Sequence, residues 1–390
     1  MKFIKLNDYT EVAINYLPNT PYANIHHYIN VGIMNDYSYC NGIAHLAEHV
    51  LIDTIFKKYK TSPKYISANA YVDKEYTCFH GECINQHMGE LLNDLLSILK
   101  TSYQITENVV ESEKIKIADV ENNNVLNNAQ LMNILRLEYC AFDDALSLPT
   151  LVNRTEFMKI RREDVLKFIQ ENYYSFKHYI IISSCYTFNQ VKKMLGCHFG
   201  AKSVVKYENN KCFCKNSDLF NQGFEKEQTQ NTICIFFEKM NSMKEYFTAQ
   251  IILLIYRIHV NRYFKNYEVY INDITVKCYS NYALLFITYN VFFNETIDML
   301  KKLNLSEYED EISLLKKHFF FGYMKKTSDL DKYHKEVFKS FFYFNEKFHL
   351  KYFEDIIEQI SFDDIKAMHN SILSGKHITH YCFERMLANV

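Results

Sequence analysis

Asn41-Gly42-Ile43-Ala44-His45-Leu46-Ala47-Glu48-His49-Val50-Leu51-Ile52 carries the densest chemistry in this chain of 390 residues. Ile43, Leu46, Ala47, Val50 and Leu51 recur at helical spacing, and Asn41 ahead of them is a residue type that caps helices. On the helix so predicted, over 43–57, His45, Glu48 and His49 share one face, because residues three and four apart are neighbours. Two neutral imidazoles one turn apart can hold a single Zn²⁺, with the carboxylate between them beside the open coordination position. Such an ion draws the pKa of its water towards about 7, and Glu48 is placed to take the proton and so make a nucleophile for a peptide carbonyl. The order H-x-x-E-H is the inverted form of the zinc-protease pattern. Two histidines hydrogen-bonded within a core are the plain alternative, and the surroundings of the segment decide between them.

Composition narrows the surroundings. Lys plus Arg total 44 against 46 Asp plus Glu, a net charge of −2, so there is no cationic surplus to neutralise a nucleic-acid backbone or an anionic membrane. With 48% hydrophobic and 23% charged residues the chain has the make-up of a folded globular protein. The 11 cysteines contain no C-x-x-C pair, which fits reduced thiols. Charges interrupt Met1–Asp8 where a signal peptide needs an apolar run, and no apolar stretch approaches the roughly 20 residues of a membrane span. A cytoplasmic protein is expected. Gly-rich phosphate loops are absent.

A weak internal repeat suggests two related halves. Ser175-Phe-Lys-His178 precedes the strand-like run Tyr179–Cys185, and Ser374-Gly-Lys-His377 precedes Ile378–Phe383. Each follows a helix that opens with acidic residues. Between the halves, 203–230 is polar and loop-like. The expected organisation is therefore an N-terminal catalytic domain over 1–202, a linker over 203–230 and a degenerate copy over 231–390. Strands are predicted at Ile25–Val31, Tyr76–Cys83, Thr232–Phe237, Asp273–Tyr279 and Leu284–Tyr289. Helices are predicted at 43–57, 86–100, 107–137, 243–264, 294–303 and 309–325. Long helices beside short strands give a layered α+β class.

With these neighbours the segment resembles the pitrilysin and insulysin family of zinc metallopeptidases, most closely its shorter, mitochondrial-processing-peptidase-like subunits. Ile29-Asn-Val-Gly-Ile33 leading to Asn41-Gly42 is similar to the family's strand and loop before the active-site helix. Asn69-Ala70-Tyr71 followed by Glu75-Tyr-Thr-Cys-Phe79 is similar to its Asn-Ala-Tyr-Thr segment and next strand. Leu148-Pro149, Arg162-Glu-Asp-Val165, Tyr173-Tyr174 and Ile180-Ile-Ile182 follow in the family's order. The resemblance implies two α/β-roll domains forming half of a clamshell chamber.

It also implies a site. His45 and His49 would ligate zinc, and Glu48 would be the catalytic base. A carboxylate from a later helix would be the third ligand. Spacing from Asn69 lands on Asp119, in Glu113-Lys-Ile-Lys-Ile-Ala-Asp119-Val120, with Glu121 the alternative. The two would point about 200° apart on a helix, so only one can ligate. Asp119 is favoured because Ile115 and Val120 keep the family's apolar positions. Glu113 would orient rather than ligate. Asn69 and Ala70 would receive the substrate as an added strand, and Arg262 and Tyr270 would grip it from the second half.

The implied activity is zinc-dependent cleavage of small unstructured peptides, such as the leader of a ribosomally made bacteriocin precursor. A homodimer, or a heterodimer with a related half-sized subunit, would complete the chamber. The competing expectation is a weakly active or inactive partner subunit.

Overall fold

The computed structural model describes residues 1–60, 65–98, 104–128, 131–132, 134–135, 138–139, 142, 144–174, 176–196, 231–263, 271–289, 296–375 and 377–381. The expected linker at 203–230 lies outside these. The described residues divide into two compact units: 1–128 with those from 142 to 196, and those within 129–141 with those from 231 to 381. Residues within 129–141 thus join the second unit although the first surrounds them in sequence. An ion pair on a buried carboxylate is one reason. The Glu138 carboxylate, 0% exposed, takes Lys277 at 2.6 Å and the Tyr279 hydroxyl at 2.7 Å.

The first unit is built on six strands: β1 (Lys2–Asn7), β2 (Thr10–Tyr16), β3 (Tyr22–Ile29), β4 (Ile66–Val72), β5 (Thr77–Ile84) and β6 (His178–Ser184). Their order is β1-β2-β6-β3-β5-β4, antiparallel except for β2 beside β6. Alternate residues of the strands line one face: Val12, Ile14, Ala23, Ile25, Ile29, Phe79, Ile180 and Ile182 are all buried there. Helices α1 (Ile43–Lys60), α2 (Met88–Ser97), α3 (Glu107–Ile115) and α4 (Arg162–Phe168) bring Leu46, Val50, Leu91, Leu95, Val110, Val165 and Phe168 into the same core. This is the α+β arrangement in which helices cover one face of a mostly antiparallel sheet. Tyr76, read from the sequence as the first residue of a strand, instead precedes β5, while β1, β2 and β4 extend the sheet beyond the strands that periodicity marked.

The second unit repeats the plan. Its strands β7 (Asn231–Glu238), β8 (Ile271–Cys278), β9 (Tyr282–Tyr289) and β10 (His377–Tyr381) run in the order β10-β7-β9-β8. That is the order β6-β3-β5-β4 of the first sheet, with a long helix, α5 (Met243–Tyr263), in the place of α1. His178 and His377 each open the strand that pairs antiparallel with the first strand of the motif, so the two matching sequence segments occupy equivalent places. Counted from its first residue, α5 carries Glu245, Thr248 and Ala249 where α1 carries His45, Glu48 and His49. The second unit thus has that strand order, without imidazoles at these positions of its helix.

Phe168 is fully buried and its ring meets Tyr39 and Tyr173 edge-on. Truncating it leaves a cavity beneath α1, and Phe168→Ala is expected to cost about 3–5 kcal/mol in urea denaturation. A loss under about 1 kcal/mol would show that this packing does not hold the unit together.

Candidate metal centre

The site begins with how α1 is started. Asn41, expected as the cap, instead donates its amide to the Leu151 carbonyl at 2.7 Å. The helix is capped from further upstream by Asp36, whose carboxylate oxygens accept the Gly42 N–H at 2.6 Å and the Ala44 N–H at 2.9 Å. Burial pushes this carboxyl up to about 7 against the opposing pull of those two N–H groups. Gly42 sits at φ +92°, and a Cβ there would lie 2.3 Å from a Val152 methyl and 2.9 Å from the Phe157 ring. Only glycine meets both conditions.

From that start His45, Glu48 and His49 emerge on one face, and their ligand atoms can lie within 4.8 Å of one another. The imidazoles are 4.9 Å apart, nearly edge to face. Glu121 closes the group. One of its oxygens lies 3.1 Å from Nε2 of His45 and the other 3.1 Å from Nε2 of His49. Glu113, almost fully buried, accepts the His49 Nδ1–H at 3.0 Å and is itself paired with Lys116.

Asp119, preferred from the sequence, is not the acid that this geometry brings to the histidines; Glu121 is. The Asp119 carboxylate is bound by Arg154, Nε to Oδ1 at 2.8 Å and Nη2 to Oδ2 at 3.3 Å, and does not join the histidines. The reason is a local change of helix. After α3 the chain continues as a π-helix over Lys116–Glu121, with the Asn122 N–H donating to the Ile117 carbonyl five residues back, and then as α-helix over Asn122–Leu126. In a continuous α-helix Glu121, eight residues after Glu113, would stand about 80° round from it. A π turn holds one residue more and takes up that offset, so both carboxylates reach His49. Counting in α-helical register therefore selects an acid that lies away from the histidines.

Side chains that the motif did not reveal hold this segment. Asn122 brackets Val152, donating to its carbonyl at 2.8 Å and accepting its N–H at 3.2 Å. Buried Lys114 donates to the Met158 and Ile160 carbonyls at 3.0 and 2.8 Å. An Asn just past an acidic residue and a Lys inside a helix carry no distinctive spacing. Asn69 and Ala70 lie on β4, the edge strand beside α1, where the Asn69 carboxamide oxygen accepts the Ala70 N–H at 2.9 Å. Arg262 in the second unit is paired with Glu311 at 3.0 and 3.1 Å, over the Tyr308 ring. Tyr270 lies outside the described residues.

Residues 11–152 match the family Insulinase (Peptidase family M16). The matched segment contains helix α1, the edge strand β4 and the carboxylates of Glu48, Glu113 and Glu121. No curated protein matches the chain significantly. In fold, the chain is similar over 95% of its length to a chain of "Complex III2 from Candida albicans, Inz-5 bound", covering 92% of that chain at 16% identity with a TM-score of 0.75. It is equally similar to a putative M16-like peptidase from Alicyclobacillus acidocaldarius, with 95% and 94% coverage, 13% identity and a TM-score of 0.75. Among the described residues no helix is long and apolar enough to cross a membrane, and Cys40, Cys78, Cys83, Cys185, Cys234 and Cys278 form no disulfide with one another.

The acids and imidazoles of the group shift one another's pKa values. Burial lowers the His49 pKa, but hydrogen bonds to Glu113 and Glu121 and the charge of Glu48 outweigh it and push the imidazole up to about 10. Burial acts to raise Glu113 and Glu121, yet His49 and Lys116 hold Glu113, and the two histidines hold Glu121, below the ordinary carboxylate range. Glu48 goes the other way, raised by burial. Without a metal, then, a proton on His49 offsets the carboxylates. Its stabilising contribution is whole below the ordinary value of 6.5 and is lost as pH rises through about 10. The carboxylate contribution is whole above the ordinary value of 4.5 and is lost as pH falls. In chelator, the melting temperature of the wild type is expected to decline from pH 6.5 to 9.5 more steeply than that of His49→Gln. Parallel declines in a thermal-shift series would contradict the assignment.

Proposed function

We propose that the chain is a zinc-dependent endopeptidase acting on small unstructured peptides. The observation that carries this reading is the meeting of Glu121 with both Nε2 atoms of His45 and His49, beside Glu48. The donor set suits the ion. Two imidazole nitrogens and one carboxylate are the ligands of zinc sites that keep a fourth position open. Glu113 fixes the His49 tautomer through Nδ1, leaving Nε2 for the metal, the usual arrangement around ligating histidines.

A bound zinc ion supplies Lewis acidity there, acidifying water and polarising a peptide carbonyl. The chain's own groups do the rest. An extended peptide lies along the open side of β4 at Asn69 and Ala70, adding a strand whose backbone pairing reads shape more than side-chain identity. Glu48, buried and with its pKa raised, accepts the proton of the attacking water and passes it to the leaving amine. Buried surroundings keep that carboxylate weakly hydrated, so its basicity is directed at the nucleophile.

Removal of a leader from a ribosomally made peptide, such as a bacteriocin precursor, is one use of such chemistry. With two α+β units in one chain, pairing with a second copy or a related half-sized subunit would enclose the substrate. A second reading, a partner subunit with little turnover, draws on the likeness in fold to a chain of Complex III2.

Zinc content and two substitutions separate the readings. The purified chain is expected to hold about one zinc. Glu48→Gln should keep the metal while cleavage of an unstructured peptide falls about 10²–10⁴-fold. Wild type that holds zinc but cleaves none of a broad peptide library favours the partner subunit. Glu121→Gln should lose zinc and Asp119→Asn should not. The reverse pattern, measured by atomic absorption after dialysis, would contradict the ligand set.

A further inference from the structure

On the reading that His45, His49 and Glu121 hold a metal, the structure assigns Asp36 as the positioning residue for His45, acting through the backbone of the first turn of α1. The two imidazoles are held in different ways. His49 is fixed through its side chain, Nδ1 to Glu113 at 3.0 Å. His45 has no such aid: its Nδ1 is buried without a hydrogen-bond partner among the described residues. Where its Nε2 points therefore depends on the turn from which the side chain grows.

That turn is gripped by Asp36. Its carboxylate takes the N–H of Gly42 and of Ala44, the residue immediately before His45. These N–H groups belong to the start of a helix, where no intrahelical carbonyl is available to them. The grip comes from six and eight residues upstream, so it ties the helix to a separate loop. The loop is itself fixed on several sides. Ile33 and Met34 donate their N–H groups to the Asp73 and Lys74 carbonyls at 3.0 and 2.9 Å. Asn35 bonds the Gly32 N–H at 2.9 Å and the Asn172 carboxamide at 3.4 Å, and the Tyr39 hydroxyl donates to Glu171. Asp36 is 1% exposed, so water cannot replace it as acceptor. Both oxygens are needed. An asparagine would turn an NH₂ group towards one of the two N–H donors and release that strand of the grip.

The test uses the full chain, stripped of metal and titrated with Co²⁺ alone, reading affinity by chelator competition and ligand geometry by the visible absorption bands. Asp36→Asn, with a far-UV spectrum like wild type, is expected to bind Co²⁺ about 10–100-fold more weakly, the range for residues that orient ligands, with shifted bands. Asp36→Glu serves where the Asn variant does not fold. It keeps both acceptors but moves them by one methylene, and a smaller loss of affinity with shifted bands is expected. Affinity and bands unchanged in a folded variant, while wild type binds one Co²⁺, would overturn the role of Asp36 and leave the metal reading standing. A wild type that takes up no Co²⁺ overturns both.

Discussion

Two imidazoles and a carboxylate from another helix can meet only if two registers agree, that of His45 and His49 on α1 and that of Glu121 on the helix opposite. The first is simple, since residues four apart lie one above the other. The second is not. Glu113 and Glu121 both have to face α1, and an uninterrupted α-helix would turn the later one aside. The π turn over Lys116–Glu121 removes that conflict, and Asn122 and Lys114 bind the altered segment to the 151–160 stretch. A helix defect of this kind has a cost in hydrogen-bond geometry, and here it lets two acids converge on one imidazole.

Charge explains why the group needs a cation. Glu48, Glu113 and Glu121 surround His49, and three carboxylates in a partly buried space repel one another unless something positive stands among them. In the chain alone a proton on His49 serves. On the proposed reading a divalent ion would meet the same need with more charge and with directional bonds to Nε2, and ligating nitrogens would give up their protons to it. A proton and a metal would then compete for the same acids.

Much of this was legible in the sequence, and the limits are physical. Helix α1 was readable because apolar period, spacing of His45, Glu48 and His49, and flanking residues all agreed. The core strands β3, β5, β7 and β9 were readable from runs of β-branched and aromatic residues. The edge strand β4 was noticed only through Asn69-Ala70-Tyr71, since small residues give weak alternation. Strands β1 and β2 were missed because Lys2, Lys5 and Glu11 break their pattern at the solvent side. That Glu121 and not Asp119 meets the histidines could not be counted from the sequence, because residue identities do not encode a π turn. The cap was misassigned because Asn41 has the right type in the right place, whereas Asp36 reaches the helix only through the fold of its loop.

X-ray absorption at the zinc edge tests the central claim most directly. Zinc-loaded protein is expected to show two imidazole shells and oxygen ligation at about 2.0–2.2 Å, with one imidazole shell lost in His45→Ala and oxygen scattering altered in Glu121→Gln. Sulfur ligation at about 2.3 Å, or a spectrum that neither substitution changes, would place the metal elsewhere and contradict the account.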